Sequence, residues 1–380
     1  MIILADENIP LVEETFQHIG EVVRFKGREL KRDDLVSAEV LLVRSVTKVD
    51  AALVEGTPLR FVGTATIGTD HVDAEALSER GISFVSAPGS NSNSVGEYVI
   101  AALLTLAVDH GRNLDGKTLG IVGVGNCGSR VEALAPSLGL QLLYCDPPLA
   151  QRTGDSRYRP LMEIADADIL TFHVPLTKTG PDPTYHMINA ELLERRPPDG
   201  VLINSSRGAV ADSGALVEHF SIASDEVLLL DVWEGEPDIR LDVLNLAALG
   251  TPHIAGYSYD GKVRGMLMLY RALCGLLGVE PEWLADPCLA QDVSPLKLQT
   301  HLGGTEALDD LVRTCYDIRA DDRNLRQLLQ IPVPERASYF DALRKGYRVR
   351  REFPSFKVSV RDRKEETVGQ IDGLGFQVVK

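Results

Sequence analysis

The sequence predicts an α/β protein with two doubly wound parallel sheets, followed by a smaller α+β unit. Three observations carry this. Short apolar runs alternate with helical patterns from residue 1 to about residue 87, and a second alternation runs from Lys117 to about His253. Beyond about residue 287 the order changes to helices first and two alternating strands last. Apolar strands separated by helix-length segments pair in parallel and bury both faces.

In the first alternation the strand candidates are Ile2-Ile-Leu-Ala, Glu21-Val-Val-Arg-Phe, Val40-Leu-Leu-Val-Arg-Ser, Arg60-Phe-Val-Gly-Thr and Ile82-Ser-Phe-Val-Ser. Ala87-Pro-Gly breaks the chain, and an Ala- and Leu-rich helix is expected from about Val95 to Val108. The second alternation offers strands at 118–123, 140–145, 168–173, 201–204, 227–231 and about 249–252. Lys262 to Leu277 reads as a long helix returning the chain to the first unit. Helical patterns at 305–320, 321–330 and 337–346 then precede the strand-like runs Phe356-Lys-Val-Ser-Val and Phe376-Gln-Val-Val.

One stretch organises the second unit. Thr118-Leu-Gly-Ile-Val-Gly-Val-Gly-Asn-Cys-Gly128 is a strand that breaks into Gly123-x-Gly125-x-x-Gly128 and continues as a helix through Ser129, Val131, Leu134 and Leu138. Asp146 ends the next strand, eighteen residues after the last glycine. Strand, glycine turn, helix, strand and terminal acid form a dinucleotide-binding fingerprint. Gly123 permits the tight turn, Gly125 lets the backbone approach a pyrophosphate, and Gly128 lets helix and strand pack closely. Asn126 and Cys127 open the helix at that anion-binding end. A carboxylate at Asp146 suits the two ribose hydroxyls of NAD and repels the 2′-phosphate of NADP.

Composition narrows the function classes. A net charge of −16 over 380 residues argues against nucleic acid and anionic membrane as general partners. The five cysteines (Cys127, Cys145, Cys274, Cys288, Cys315) are scattered without CxxC spacing, as expected of reduced thiols, and no metal set is expected. The longest apolar run, Tyr98 to Val108, is too short to span a bilayer. The opening Met-Ile-Ile-Leu-Ala-Asp-Glu does not look like a signal peptide, so the expected location is cytoplasmic.

Three strand ends of the second unit supply one Arg, one Glu and one His: Arg207 in Asn-Ser-Ser-Arg-Gly, Glu236 in Trp-Glu-Gly-Glu-Pro and His253 in Thr-Pro-His-Ile-Ala-Gly. Oxidising a carbon that bears a hydroxyl needs a base for its proton, a group that tunes the base, and a cation for a substrate carboxylate. Histidine has the ordinary pKa for the first role, a neighbouring carboxylate favours its imidazolium, and arginine clamps a carboxylate with two parallel hydrogen bonds.

With Gly123-x-Gly125-x-x-Gly128, Asn204-Ser-Ser-Arg207-Gly, Asp231-Val-Trp-Glu-Gly-Glu236-Pro and Pro252-His253-Ile-Ala-Gly256, the chain resembles the D-isomer-specific 2-hydroxyacid dehydrogenases over about residues 1–285. The resemblance implies a catalytic set of Arg207, Glu236 and His253, with Glu234 a decoy because it does not precede the proline. It implies a substrate-binding domain of 1–94 and 257–286 with a Rossmann NAD domain, 95–256, inserted in it. It also implies a C-terminal dimerisation domain, 287–380, that makes the protein a homodimer. Asp146, Ser206, Asp231 and Gly256 would line the NAD site, and Val174 would touch the cofactor through its backbone.

Further segments are similar to those of family members acting on 4-phospho-D-erythronate in a bacterial route to pyridoxal phosphate. They are Val43-Arg-Ser45-Val-Thr, Gly63-Thr-Ala-Thr66-Ile-Gly-Thr-Asp-His, Ala87-Pro-Gly-Ser-Asn-Ser-Asn-Ser-Val-Gly-Glu-Tyr and Gly250-Thr-Pro-His-Ile-Ala-Gly-Tyr257-Ser. That likeness makes Ser45, Thr66 and Tyr257 substrate contacts. Arg44, beside Ser45 at a strand end, is the first candidate cation for the phosphate. A second is the basic run Arg344-Lys-Gly-Tyr-Arg-Val-Arg-Arg351, to be tested at Arg348 and Arg350. The alternatives are a dehydrogenase of the same family acting on 3-phosphoglycerate or hydroxypyruvate, and an NAD-sensing co-repressor of the same fold.

Overall fold

A computed structural model describes residues 1–222, 225–283, 296–297, 304–360 and 365–379. They fall into two units, Met1–Asn91 with Ser258–Asp292, and Ser92–Tyr257 with Val293–Lys380.

The first unit is a five-stranded, wholly parallel sheet in the order β2-β1-β3-β4-β5. The strands are β1 (Ile2–Asp6), β2 (Glu21–Phe25), β3 (Val40–Val43), β4 (Phe61–Thr64) and β5 (Ser83–Val85), the five runs expected from sequence. β3 and β4 are buried along their whole length, as central parallel strands must be. The helix Tyr259–Leu277 adds Val263, Leu269, Tyr270 and Leu273 to the cluster of Ile3, Val40 and Phe61, which joins it to this sheet. Ser258 caps it by accepting the Gly261 N–H at 2.8 Å, so the helix starts one turn earlier than the apolar pattern suggested. Gly265 permits close packing there: a Cβ would stand 3.2 Å from the Ala65 carbonyl oxygen.

The second unit holds a six-stranded parallel sheet in the order β11-β10-β9-β8-β6-β7. Its strands are β6 (Thr118–Val122), β7 (Gln141–Cys145), β8 (Ile169–Phe172), β9 (Val201–Asn204), β10 (Val227–Leu230) and β11 (Leu249–Gly250). A single parallel bridge from Tyr144 to Tyr158 adds a one-residue rung outside β7. Counting that rung, the order is that of the six-stranded dinucleotide-binding sheet with β11 added at the far edge, and its switch point lies between β6 and β8. The helix Ser92–Asp109 is buried from Ser94 to Leu106. Gly96 lets it approach the helix Asn126–Leu134, since a Cβ there would meet Leu134 at 3.0 Å and Arg130 at 3.1 Å.

The C-terminal segment belongs to the same unit. Helices Gly304–Cys315, Ile318–Arg326 and Val333–Lys345 replace the three expected ones, and the first two part at Tyr316-Asp317, where Asp317 caps the second. β13 (Lys357–Ser359) and β14 (Gln377–Val379) form where alternation placed them, and β13 pairs in parallel with β14 on one side and with β12 (Leu296–Lys297) on the other. Leu308, Leu311, Tyr316, Phe353 and Phe376 share one core with Tyr98, Leu103 and Ile121. Cys127, Cys145, Cys274 and Cys315 are free thiols, and Cys288 lies outside the described residues. No helix among the described residues is long and apolar enough to cross a membrane.

Candidate active site

The glycine turn leaves β6 at the switch point. Gly123 has φ +85°, and a Cβ on it would lie 2.7 Å from the His173 carbonyl oxygen and 2.8 Å from Val174 Cγ1. Gly128 sits 2.0 Å, measured from an ideal Cβ, from the Gly123 carbonyl oxygen, a distance only glycine tolerates. At Gly125, the residue before the helix, a Cβ would meet nothing within 4 Å, which leaves its backbone open to a ligand. Burial pushes the Cys127 thiol up to about 11 despite the pull of Arg207, so it is a neutral thiol. Asp146 accepts the Val124 N–H at 2.8 Å through one oxygen and the Leu149 N–H at 2.9 Å through the other. The glycine turn and the acid thus hold each other, and each carboxylate oxygen keeps lone pairs for a ribose.

The chemistry-bearing side chains stand at the ends of β9, β10 and β11. His253 Nδ1 and Glu236 Oε2 are 2.7 Å apart. The other oxygen of Glu236 accepts the Trp233 N–H at 2.7 Å. Burial alone would raise the Glu236 carboxyl, but the charge and hydrogen bond of His253 and the Trp233 N–H outweigh it, holding the group below the usual glutamate range. Glu234 faces elsewhere: it binds His186 Nε2 at 2.6 Å and the Ser213 N–H at 3.2 Å. Of the two acids in the Trp-Glu-Gly-Glu-Pro run, the fold gives Glu236 to His253.

His253 has φ +56°, a left-handed conformation that costs a non-glycine residue about 1–3 kcal/mol. Asp231, at the end of β10, compensates. Its carboxylate accepts the Thr251 hydroxyl at 2.6 Å, the Ile254 N–H at 2.7 Å and the Ala255 N–H at 2.9 Å, and its carbonyl accepts the His253 N–H at 2.7 Å. Trp233 donates its indole N–H to the Thr251 carbonyl at 2.8 Å. The sequence offered Asp231 as an NAD-lining residue; the donors around its buried carboxylate show what holds the histidine loop in place.

Arg207 precedes the short turn Gly208–Val210 and donates to the Ser206 carbonyl at 2.8 Å. Asn204 fixes this corner, accepting from Ser206 Oγ at 2.7 Å and donating to the Arg207 carbonyl at 3.0 Å. A further histidine stands at the same sheet edge. His173 is hydrogen-bonded to Thr171 at 3.0 Å, and burial pushes its imidazole down to about 3, so it stays neutral and unsuited to act as a base near pH 7. Gly256 and Tyr257 follow the histidine loop, and Tyr257 packs edge-on to Tyr347 with ring centroids 5.8 Å apart.

Arg44, Ser45 and Thr66 lie in the first unit, at the ends of the adjacent strands β3 and β4. Ser45 is exposed. The Thr66 hydroxyl is set by Thr64 Oγ1 at 2.8 Å and the Gly68 carbonyl at 3.1 Å, with His71 Nε2 behind Thr64 at 3.0 Å. Sequence reasoning missed Lys262, in the first turn of the helix Tyr259–Leu277. Burial pushes its amine down to about 8, and the Arg44 charge adds to the effect. Two cations close enough to feel each other attract an anion, but they are 218 residues apart in the chain and no spacing rule joins them.

Known proteins share this sequence pattern and fold. Residues 104–255 match the NAD binding domain of the D-isomer specific 2-hydroxyacid dehydrogenases, and residues 290–375 match a domain of unknown function. A D-lactate dehydrogenase from Aquifex aeolicus, solved with NAD and lactic acid, is 26% identical; the alignment covers 73% of this chain and 95% of that one, with a TM-score of 0.59. The chain belongs to the D-isomer-specific 2-hydroxyacid dehydrogenase family, and it is an NAD-dependent oxidoreductase. Within the family it is similar to the erythronate-4-phosphate dehydrogenase of Salinibacter ruber, at 46% identity over 94% of this chain and 93% of that one. The erythronate-4-phosphate dehydrogenase of Pseudomonas fluorescens is 42% identical over the full length of both chains.

Proposed function

We propose that the chain oxidises the C2 hydroxyl of 4-phospho-D-erythronate, giving (R)-3-hydroxy-2-oxo-4-phosphooxybutanoate on a route to pyridoxal phosphate. The single observation behind the chemistry is the 2.7 Å His253–Glu236 pair, on a loop tied to Asp231. Similarity to the two erythronate-4-phosphate dehydrogenases over nearly the whole chain supports the substrate.

Arg207 takes the substrate carboxylate with a bidentate pair of hydrogen bonds and orients C2. Nδ1 of His253 is committed to Glu236, so Nε2 receives the proton of the C2 hydroxyl. The Glu236 carboxylate stabilises the imidazolium that results. Gly123, Gly125, Gly128 and Asp146 would hold NAD, which would supply the acceptor for the C2 hydride. In the reverse direction His253 returns the proton to the carbonyl oxygen. Ser45 and Thr66 contact the substrate, and Arg44 with Lys262 supplies positive charge for its phosphate. The segment 287–380 mediates a homodimer, and the protein works in the cytoplasm; light scattering of the purified protein checks the dimer.

The deciding experiment compares NADH formation with 4-phosphoerythronate, 3-phosphoglycerate and D-lactate. Preference for the first supports the reading. Preference for 3-phosphoglycerate moves the chain elsewhere in the family, and no NADH with any of the three removes the enzyme reading.

A further inference from the structure

The arginines of the 344–351 run differ in what they touch. Arg348 is paired with Asp321 and donates to the Asp317 carbonyl at 2.9 Å. Arg350 is buried, donates to the Ser94 carbonyl at 2.9 Å and to Glu97 at 3.2 Å, and lies with its guanidinium carbon 3.7 Å from the Tyr316 ring centroid. Arg351 reaches Ser355 Oγ at 3.0 Å. These pairings engage Arg348 and Arg350, the two positions the sequence pointed to, with the protein's own groups.

Arg344 differs from them. It lies in the last turn of the helix Val333–Lys345, with its guanidinium carbon 5.8 Å from the Tyr257 ring centroid. Its charge is felt by Glu236, and Tyr257, Glu236 and Asp231 are the groups that act on it in turn. What sets it apart is that no carboxylate among the described residues is ion-paired with it, whereas Arg348 holds Asp321 and Arg350 holds Glu97; its Nε is buried without a hydrogen-bond partner, as is that of Arg350. A guanidinium is the side chain that matches a phosphate with parallel hydrogen bonds. A guanidinium that leans on Tyr257 and has no carboxylate to neutralise it keeps its charge for an anion beside the catalytic loop.

We infer that Arg344 is the C-terminal segment's contribution to the active site, binding the phosphate monoester of the substrate beside Tyr257. This rests on the reading of the site as one for a phosphorylated 2-hydroxy acid. It makes the segment that lies outside the family's NAD-binding domain a determinant of substrate choice.

The test measures kcat and KM for 4-phosphoerythronate and for D-erythronate, which lacks the phosphate, with wild type, Arg344→Gln and Arg344→Lys. Loss of one charge-assisted contact predicts that Arg344→Gln lowers the preference for the phosphorylated substrate roughly 10- to 100-fold, through KM. Arg344→Lys restores part of it, and carries the comparison alone if the glutamine variant does not fold. Equal loss with both substrates, or a loss confined to kcat, overturns the inference, because it places Arg344 at the His253–Glu236 pair. If the wild type does not oxidise 4-phosphoerythronate, the substrate reading has failed, and Arg344 is then judged by calorimetric titration of inorganic phosphate into the NAD-loaded proteins. Weaker binding to the variant supports the inference; equal binding, or none to either, overturns it.

Discussion

The carboxylate of Asp231 accepts the N–H groups of both Ile254 and Ala255, at 2.7 and 2.9 Å, so the loop that presents His253 is tied to the end of the neighbouring strand. The left-handed backbone of His253 persists because these bonds hold it. Asp231→Ala leaves three donors without their buried acceptor. It should destabilise the protein by roughly 3 kcal/mol and lower kcat at least tenfold. Urea unfolding and steady-state rates check both, and wild-type turnover in this variant would separate the loop from catalysis.

His253→Ala removes the base while leaving the glycine turn as it is. Turnover should fall by about 10²- to 10⁴-fold. NAD affinity, read by fluorescence titration, should stay close to that of the wild type. A near-normal rate would exclude His253 as the base.

Glu236 and Glu234 are two residues apart and have different partners. Glu236→Gln should lower kcat/KM by about 10²-fold, while Glu234→Gln should affect mainly stability, through the loss of His186. The reverse ranking would reassign the tuning acid. The Glu236 carboxyl is held below its ordinary value of 4.5. Its contribution to stability is therefore full above that value and is lost as pH falls through the lower, folded-state one. Glu236→Gln should therefore lower the unfolding midpoint at pH 7, and the gap to wild type should close as pH falls below 4.5.

Lys262 works in the opposite sense. Its amine falls from 10.5 to about 8, so the folded protein disfavours the charged form that the unfolded chain carries. Stability should rise as pH increases through this window, and Lys262→Met should raise the thermal midpoint at pH 7. In the same variant KM for the phosphorylated substrate should increase several-fold. A stabilised variant with an unchanged KM would show that Lys262 takes no part in binding.

Much of this was legible in the sequence, because strands buried on both faces read as apolar runs and backbone turns read as glycine. Each of the eleven strands of the two large sheets overlaps such a run. The glycine turn, Asp146 and the three strand ends bearing Arg207, Glu236 and His253 rest on local spacing and are readable for that reason. β12 has only two residues and Tyr158 only one bridge, too little for any period to register. Lys262 beside Arg44, and Arg344 beside Tyr257, are brought together by the fold across long stretches of chain. The hydrogen bonds that make Asp231 an anchor for the histidine loop are equally invisible in a strand-end motif.

Arg350 has a consequence for how far this chain could be shortened. Its guanidinium reaches the Ser94 and Ala255 carbonyls, at 2.9 and 3.4 Å, and the buried Glu97. Ala255 lies two residues from His253. A chain ending near residue 290 would leave the buried Glu97 and the Ala255 carbonyl without this donor. The C-terminal segment is therefore part of its unit's interior, and cutting it away would open contacts within two residues of His253.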